Sequence, residues 1–338
     1  MRDVAELDAR LTEPSDELVA DIARLNGDIV ILGVSGKMGV TLARLAKNAA
    51  DRAGVKKRII GVSRFSEPEA RKELETHGVE TIVADLLDED QLRGLPEVAN
   101  VIYMVGHKFG TTGSEHLTWA INAYLPGRVA EKYRRARIVV FSTGNVYPLT
   151  PVRQGGADEE HPTGPVGEYA QSCLGRERVL EYFSRRYGTP MVFLRLNYAI
   201  DLRYGVLLDV ARAVKEGQPI DLRMGHVNVI WQGDANTIAL RSLALCSTPP
   251  RVLNVTGPET ISIRWLAEQF GHRFGVEPRF TYEEAETALL SNATRAHQLF
   301  GYPKVSLRQM IDWTAAWVQA GGPTWQKPTH FQEREGRF

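Results

Sequence analysis

The sequence predicts an α/β protein whose core is a doubly wound parallel sheet, followed by a smaller α/β lobe toward the C-terminal side. Three observations predict this fold. Short apolar runs alternate with helical patterns between residues 28 and 196 of the 338-residue chain, which is the rhythm of strand, helix and strand units with right-handed crossovers. Residues 138–141 are entirely apolar, as expected of a strand that helices cover on both faces. A glycine-rich turn joins the first strand to the first helix.

That turn reads Asp-Ile-Val-Ile-Leu-Gly-Val-Ser-Gly-Lys-Met-Gly over residues 28–39. A strand runs into Gly33, Gly36 and Gly39, and a helical pattern begins at once with Val40. Glycines let the backbone turn sharply and approach a diphosphate, whose charge then meets the free N–H groups of the following helix. The turn therefore predicts a dinucleotide site of the Rossmann type, although the spacing Gly-x-x-Gly-x-x-Gly departs from Gly-x-Gly-x-x-Gly and is also compatible with an ordinary strand-to-helix turn.

The remaining elements follow the same alternation. Apolar runs predict strands over residues 29–32, 58–62, 81–84, 101–105, 138–141 and 191–196. Helical periodicity predicts helices over residues 67–77, 117–134, 167–186 and 206–216. Together these elements build the sheet with helices on both of its faces.

Changes in pattern divide the chain into four parts. Residues 1–27 form a helical extension, in which Pro14 and Ser15 open a helix that carries Leu18, Ile22 and Leu25 on one face. Residues 28–196 form the dinucleotide-binding domain. Residues 197–320 form the substrate-binding lobe, interleaved with the sheet. The tail, residues 321–338, has no clear period and either wraps around the domain or remains mobile.

Composition restricts the partners. Lysine plus arginine (41) balance aspartate plus glutamate (41), so no net field favours nucleic acid or an anionic membrane. Two cysteines, Cys173 and Cys246, are too few for a disulfide framework, and cysteine and histidine do not cluster with metal-site spacing. No apolar stretch is long enough to span a bilayer, and the first residues lack the apolar core of a signal peptide. We expect a cytoplasmic protein without a structural metal.

Ligands of such sheets lie at the carboxyl ends of the strands, so residues that follow each strand are candidates for binding. Arg64 follows the second strand, where an arginine can pair with a 2′-phosphate and favours NADP over NAD. A solvated surface arginine is the alternative. Asp85 and Leu86 follow the third strand, where an aspartate is also compatible with a helix N-cap at Asp85 or Asp88.

A proton-transfer pair is predicted after the fifth strand. Thr143 lies at that strand end, and Tyr169 opens the next long helix. A strand-end hydroxyl and a phenol from the following helix can converge on one carbonyl or alcohol. That arrangement suits hydride chemistry with a nicotinamide cofactor.

These residues resemble the extended short-chain dehydrogenase/reductase family, in its NAD(P)-dependent epimerase/dehydratase branch, over residues 28–320. Thr143, which precedes Gly-Asn-Val-Tyr, is similar to the family's catalytic serine or threonine, and Tyr169 to its catalytic tyrosine. The other matches are Gly33, Gly36, Gly39, Asp85, Leu86, Asn122, Arg195, Asn197, Asp234, Ala235 and the segment 253–260. The resemblance implies the Rossmann fold, an NADP or NAD cofactor, a small-molecule substrate and a homodimer formed by the two long helices.

The chain departs from the family where its Tyr-x-x-x-Lys motif should end. Cys173 stands four residues after Tyr169, in place of the lysine that holds the cofactor ribose and whose charge lowers the pKa of the tyrosine. A neutral thiol does neither. Lys108, in the loop after the fourth strand, and Arg176, two turns beyond Tyr169, are the candidate replacements, and one hypothesis is that Lys108 supplies the charge. A solvated loop lysine and a buried, inert cysteine are the alternatives.

A second departure concerns the substrate. Nucleotide-sugar members carry an arginine before the late strand to hold a diphosphate, whereas this chain has Val227 and Asn228 there. A free sugar, a sugar acid or a polyol fits at least as well. Arg203, Arg223 and His226 remain candidates for holding an anion, although surface positions are equally compatible with all three.

The favoured hypothesis is an enzyme that transfers hydride, either as an oxidoreductase or as an epimerase. A degenerate cofactor-binding sensor or scaffold is the alternative, and so is a dehydratase or isomerase that uses His107, Lys108 or Cys173 as its base. The predicted catalytic residues are Thr143, Tyr169 and Lys108. The predicted cofactor-binding residues are Gly33, Ser35, Gly36, Lys37, Met38, Gly39, Arg64, Asp85, Leu86, Val105 and Tyr169. The predicted substrate-binding residues are Asn145, Asn197, Tyr198, Arg203 and Trp231.

Overall fold

A computed structural model describes residues 1, 3–108, 110 and 113–337, so the predicted tail is described as far as residue 337. The helices are α1 (Val4–Leu11), α2 (Asp16–Arg24), α3 (Gly39–Arg52), α4 (Pro68–Thr76), α5 (Glu89–Gly94), α6 (Glu115–Trp119), α7 (Leu125–Lys132), α8 (Gly167–Tyr187), α9 (Val206–Lys215), α10 (Gln232–Arg241), α11 (Ile263–Phe274), α12 (Thr294–Phe300) and α13 (Leu307–Gln319). A π-helical turn, Ala120–Tyr124, joins α6 to α7.

The strands alternate with these helices. They are β1 (Ile29–Leu32), β2 (Ile59–Ser63), β3 (Glu80–Val83), β4 (Asn100–Tyr103), β5 (Arg137–Thr143), β6 (Thr150–Pro151), β7 (Met191–Leu196), β8 (Ala199–Ile200), β9 (Pro219–Asp221), β10 (His226–Val227), β11 (Ile230–Trp231), β12 (Arg251–Val255), β13 (Ile261–Ser262), β14 (Arg279–Thr281) and β15 (Thr287–Ala288).

Seven strands form one sheet in the order β12-β7-β5-β4-β1-β2-β3, and every neighbouring pair is parallel. The predicted doubly wound fold is confirmed. Strand β1 pairs with β2 on one side and β4 on the other, so the order reverses there and leaves a crevice at the carboxyl edge. The seventh strand, β12, comes from beyond residue 196 and pairs with β7.

The sheet is covered on both faces because its strands are apolar on both faces. In β1, Ile29 and Ile31 belong to a core shared with α2, α3 and α10. Val30 and Leu32 belong to a second core shared with α7 and α8. Successive side chains of a strand point to opposite faces, and each fully buried aliphatic side chain stabilises the fold by about 1.5–3 kcal/mol.

The N-terminal extension contains two helices. Helix α2 begins as predicted, with the Ser15 hydroxyl accepting a hydrogen bond from the Leu18 amide at 3.2 Å. Helix α1 was missed by the sequence analysis. Its signals were present: Asp3 accepts from the Glu6 amide at 2.9 Å as an N-cap, and Leu7 and Leu11, four residues apart, are fully buried.

The second lobe has its own core between α9, α11 and α13, to which α1 contributes Leu7 and Leu11. The tail wraps against this lobe. The Trp325 amide donates to the Arg203 carbonyl at 3.1 Å, and Arg334 donates to the Thr287 carbonyl at 2.8 Å. Within the described part of the chain, no helix is long and apolar enough to cross a membrane.

Candidate active site

The glycine turn begins the site at the carboxyl end of β1. Gly33 has φ +85°, in the left-handed region that favours glycine. A Cβ at Gly39 would clash with the Val34 carbonyl group, so only glycine lets α3 start this close to the strand. A Cβ at Gly36 would meet only the Gly33 oxygen, at 3.3 Å, so the turn is open toward the crevice. These are the properties of a cradle for a dinucleotide diphosphate.

A cavity of about 250 Å³ opens from the turn between the ends of β2, β3 and β4, and we call it the β2–β3 cavity. The Ser35 and Ser63 hydroxyls hydrogen-bond to each other there, and the exposed Arg64 lines the cavity. Asp85 accepts from the Leu87 amide at 3.0 Å, whereas Asp88 is the N-cap of α5. The predicted Ser35, Arg64, Asp85, Leu86 and Val105 all line this cavity.

A second cavity of about 410 Å³, the β5–α8 cavity, lies on the other side of the turn. The two cavities share Gly33, Gly36, Met104 and Gly106, so they form one cleft. The β5–α8 cavity brings together the predicted Lys37, Met38, Lys108, Thr143, Asn145, Tyr169, Asn197 and Tyr198.

Tyr169 and Thr143 meet in this cavity as predicted. Their side chains hydrogen-bond to each other, because β5 ends at Thr143 and Tyr169 lies in the first turn of α8. The Thr143 hydroxyl also accepts from the Asn145 amide at 3.2 Å and from its side-chain Nδ2 at 3.0 Å. Burial raises the pKa of Tyr169 above its ordinary value, so its phenol holds the proton at neutral pH.

Cys173 lies where the family has its motif lysine, and it is 1% exposed. Its thiol hydrogen-bonds to Tyr169, and burial raises the pKa of Cys173. The thiol is therefore neutral. Lys108 approaches the tyrosine from the loop after β4, with its Nζ 5.6 Å from the centroid of the Tyr169 ring. Burial lowers the pKa of Lys108 to about 8.

Arg176, the other candidate replacement for the lysine, is held by backbone groups. Its guanidinium donates to the Phe141 carbonyl at 2.6 Å and to the Asn122 carbonyl at 3.2 Å. That second bond has a cause in the sequence: Pro126 has no N–H to donate to the carbonyl four residues before it, and the π-helical turn ends at Tyr124, two residues before Pro126. Arg176 thus stabilises the interrupted helix. The helix predicted over residues 117–134 is present from residue 115 to residue 132, and the π-helical turn lies within it.

Asn122 joins three segments of the site. Its Oδ1 accepts from the His107 amide at 2.8 Å and from Arg176 at 3.0 Å. Its Nδ2 donates to the His107 carbonyl at 2.9 Å and to the Ser172 hydroxyl at 3.0 Å. These bonds fix the loop that carries Lys108 relative to α8. The His107 ring contacts Thr118 at 3.2 Å, outside the residues that line the cavity, which does not suit a catalytic base.

A buried ionic network supports the end of β5, and the sequence analysis missed it. Arg195 binds Glu177 through two contacts of 3.0 and 2.7 Å. The Ser142 hydroxyl donates to Glu177 at 2.6 Å, and Arg195 donates to the Tyr147 hydroxyl at 2.7 Å. Asn254 of β12 accepts from Tyr147 at 2.9 Å. An arginine inside the otherwise apolar run 191–196 was the signal for a buried partner.

Two predicted substrate-binding residues lie elsewhere. Arg203 pairs with Asp201 at 2.7 Å and with Asp8 at 3.0 Å, so its charge is used to attach α1 to the second lobe. Trp231 is 1% exposed and packs edge-on against Trp313, with 5.3 Å between ring centroids. Its size and apolar surface serve the core of that lobe. The prediction that these two residues line the site is wrong.

The residues considered for a nucleotide-sugar diphosphate also have other roles. Val227 is fully buried. Asn228 accepts from the Ser291 amide at 2.8 Å and donates to the Glu259 carbonyl at 2.9 Å. Arg223 forms an ion pair with Asp221 at 2.6 Å.

The second lobe supplies cavity residues that the sequence did not reveal. Tyr204, Gln232 and Thr329 all line the β5–α8 cavity. Thr329 comes from the tail, where its hydroxyl donates to Asp209 of α9 at 2.6 Å. Tyr198 has φ +39°, a conformation that costs free energy in a non-glycine residue and that often marks a functional site.

The fold resembles several solved structures. UDP-glucose 4-epimerase from Thermotoga maritima, solved with UDP-glucose, is 17% identical and matches 87% of this chain and 99% of its own, with a TM-score of 0.68. UDP-glucuronic acid 4-epimerase from Bacillus cereus, solved with NAD, is 16% identical over 86% of this chain and 98% of its own, with a TM-score of 0.69. UDP-glucose 4-epimerase from Thermus thermophilus, also solved with NAD, is 18% identical over 86% and 99%, with a TM-score of 0.69.

Comparison with curated protein sequences yields no match. A family model does match: that of the NAD-dependent epimerase/dehydratase family aligns with residues 29–225, which hold the glycine turn, Lys108, Thr143 and Tyr169. The chain belongs to this family, and it is an enzyme of the extended short-chain dehydrogenase/reductase type.

Proposed function

We propose that the protein is an NAD(P)-dependent oxidoreductase or epimerase that acts on a sugar, a sugar acid or a polyol by hydride transfer. One observation carries the proposal: the hydrogen-bonded hydroxyls of Tyr169 and Thr143 lie with Lys108 in a cavity that opens directly onto the glycine turn. A proton-transfer pair beside a dinucleotide cradle is what interconversion of an alcohol and a carbonyl requires.

The roles of the residues follow from their protonation states. A nicotinamide cofactor, when bound, supplies the hydride acceptor or donor. Tyr169 gives a proton to the substrate oxygen during reduction and takes one during oxidation. Thr143 hydrogen-bonds the same oxygen and fixes its position. Because burial raises the pKa of Tyr169, proton removal needs nearby positive charge, and the buried Arg176 already acts on the phenol in that direction. We assign the place of the motif lysine to Lys108, whose Nζ lies 5.6 Å from the centroid of the Tyr169 ring.

For the cofactor we favour NADP. Arg64 lines the β2–β3 cavity next to Ser63, the last residue of β2, where NAD-preferring proteins commonly present a carboxylate to the ribose. A guanidinium there can pair with a 2′-phosphate in two parallel bonds. NAD remains the other candidate, and the solved neighbours from Bacillus cereus and Thermus thermophilus contain NAD.

For the substrate we favour a small carbohydrate without a nucleotide. The sugar part is supported by the neighbours, one of which was solved with UDP-glucose. That neighbour also binds the nucleotide, but the residues of this chain argue against it. The position where diphosphate-binding relatives carry an arginine is occupied by the fully buried Val227, and Arg203 and Arg223 are used in ion pairs.

A homodimer through α6, α7 and α8 is also proposed. Large apolar side chains are exposed on this side of the protein: Leu117 is 39% exposed, Trp119 38%, Tyr124 58% and Tyr182 53%. Such a patch is typical of a protein interface. Light scattering after size-exclusion chromatography tests this, and a monomer at micromolar concentration contradicts it.

A cofactor sensor without turnover is the second candidate, because Cys173 replaces the motif lysine. The decisive experiment begins with the absorbance and mass spectrum of the cofactor released from denatured, freshly purified protein, followed by titration of empty protein with NADH and NADPH. Cofactor-linked turnover of any compound in a panel of sugars, sugar acids and polyols supports the enzyme. Cofactor binding without turnover across the panel supports the sensor, and absence of cofactor binding contradicts both.

A further inference from the structure

Lys37 is a lysine inside the glycine turn, between Gly36 and Gly39. Its side chain does not stay with the turn. The Lys37 Nζ lies 3.4 Å from the centroid of the Tyr204 ring, so it reaches across the cleft to the second lobe. Lys37, Tyr204 and Thr329 line the β5–α8 cavity together, and none of the three lines the β2–β3 cavity. The amine therefore lies on the substrate side of the turn.

The charges around this amine are predominantly positive. Among the described residues that line the β5–α8 cavity there are three cations, Lys37, Lys108 and Arg176, and no carboxylate. The Arg176 guanidinium donates to Phe141 and Asn122. Asp209 is the carboxylate that acts on Lys37 electrostatically, but its Oδ2 accepts from the Thr329 amide at 2.8 Å and from the Thr329 hydroxyl at 2.6 Å.

This environment destabilises the protonated form of the Lys37 amine. Burial, together with the charges of Lys108 and Lys327, lowers the pKa of Lys37 to about 7. Desolvation and like charges disfavour the protonated form, and an anion placed beside the amine restores it. Because the residues that line the cavity include three cations and no acid, an anion bound there is attracted by a net positive charge.

We propose that Lys37 binds an anionic group of the substrate, a carboxylate or a phosphate, against the wall formed by Tyr204 and Thr329. This inference rests on the proposed function and narrows its substrate class from carbohydrates in general to acidic ones. A carboxylate or phosphate held by Lys37 leaves the reacting alcohol or carbonyl near Tyr169 and Thr143, since all of these residues line one cavity.

The test uses the full-length protein saturated with the cofactor that it binds, and calorimetric titration with three probes: D-glucuronate, D-glucose 6-phosphate and D-glucose. We expect wild type to bind at least one of the two acidic probes and to bind D-glucose more weakly. Lys37→Met is expected to lower the affinity for the acidic probe by roughly tenfold, which corresponds to the loss of one charge-assisted hydrogen bond. The affinity for D-glucose should stay unchanged. Which acidic probe responds distinguishes a carboxylate from a phosphate.

The matched control is Lys72→Met, which removes the same charge from an exposed position on α4 and is expected to change nothing. Cofactor affinity within twofold of wild type confirms that Lys37→Met folds. If Lys37→Met instead loses cofactor affinity and keeps the acidic probe, Lys37 binds the cofactor diphosphate and the proposal is overturned. Equal binding of all three probes, or of none, by cofactor-saturated wild type also overturns it, whereas failure to bind any cofactor defeats the proposed function itself.

Discussion

The two ends of the cleft are assembled differently. At the β2–β3 cavity, most of the lining residues directly follow the consecutive strands β1 to β4, and two, Ile121 and Leu125, come from the helix after β4. At the β5–α8 cavity, the lining comes from the glycine turn, the loop after β4, the end of β5, the first half of α8, the segment after β7, α10 and the tail. The first end depends on local backbone geometry, and the second on long-range packing.

That difference determines which residues can change. Gly33 and Gly39 are fixed by backbone conformation and close approach, so the cofactor end retains the family pattern. At the other end, the proposed role requires only that a positive charge lie near Tyr169, whichever segment of the chain carries it. Lys108 arrives from a separate loop, while the position of the motif lysine is filled by Cys173.

The sharpest separation of the two ends is expected from Tyr169→Phe. Removing the proton donor should lower turnover by roughly 10²–10⁴-fold, the usual contribution of acid and base catalysis. Cofactor affinity should stay within about twofold, because the β2–β3 cavity is untouched. Steady-state rates on a substrate accepted by wild type, together with a cofactor titration, measure both. Tyr302→Phe, at an exposed tyrosine of the second lobe, is the control, and full activity in Tyr169→Phe would reassign the acid.

The next effect concerns the support beneath the catalytic end. Glu177→Gln removes the carboxylate that faces Arg195 in the buried network. Leaving one buried charge unpaired is expected to lower the free energy of unfolding by about 3–5 kcal/mol. Reversible urea denaturation measures it.

Glu181 offers a matched control on the same helix. Its ion pair with Arg185, at 2.9 Å, is exposed, and Glu181→Gln should cost at most about 1 kcal/mol. Equal losses in the two variants would show that the buried network does not stabilise the fold.

What the sequence predicted follows the same division. Strand alternation and the glycine turn predicted six of the seven strands of the sheet, because each signal lies within a short segment. For the same reason, residues predicted at or just after the ends of β1 to β4 line the β2–β3 cavity. Arg203 and Trp231 were misplaced because residue type does not reveal whether a charge or an aromatic ring is used inside the lobe. Thr329 was missed because it is held at the cavity by bonds to Asp209, 120 residues away in the sequence, and no local pattern encodes such a contact.

Substitutions of Lys108 test whether the loop after β4 supplies the positive charge that the motif lysine of α8 would otherwise provide. Lys108→Met should lower turnover by roughly tenfold, equivalent to about one pKa unit in the base, with cofactor affinity retained. The pH dependence gives a more specific check. Because the pKa of Lys108 is lowered to about 8, its charge is present below that pH and lost above it, so wild-type activity should fall as pH rises through about 8.

Lys108→Arg carries a charge that persists to much higher pH, and the fall near pH 8 should disappear in this variant. A fall at the same pH in wild type and in Lys108→Arg would assign the titration to another group and remove Lys108 from the proton-transfer step.

The smallest effect is expected at the β2–β3 cavity. The prediction there is that a single side chain determines the selectivity between NADP and NAD. Arg64→Ala should lower the affinity for NADPH by about tenfold through loss of a charge-assisted contact to the 2′-phosphate. NADH, which lacks that phosphate, should bind unchanged. Arg71→Ala, on α4 and paired with Glu75 at 2.8 Å, controls for the general loss of a positive charge nearby. If Arg64→Ala weakens both cofactors equally, Arg64 contributes only to the field around the cavity, and the choice between NADP and NAD lies with other residues of the β2–β3 cavity.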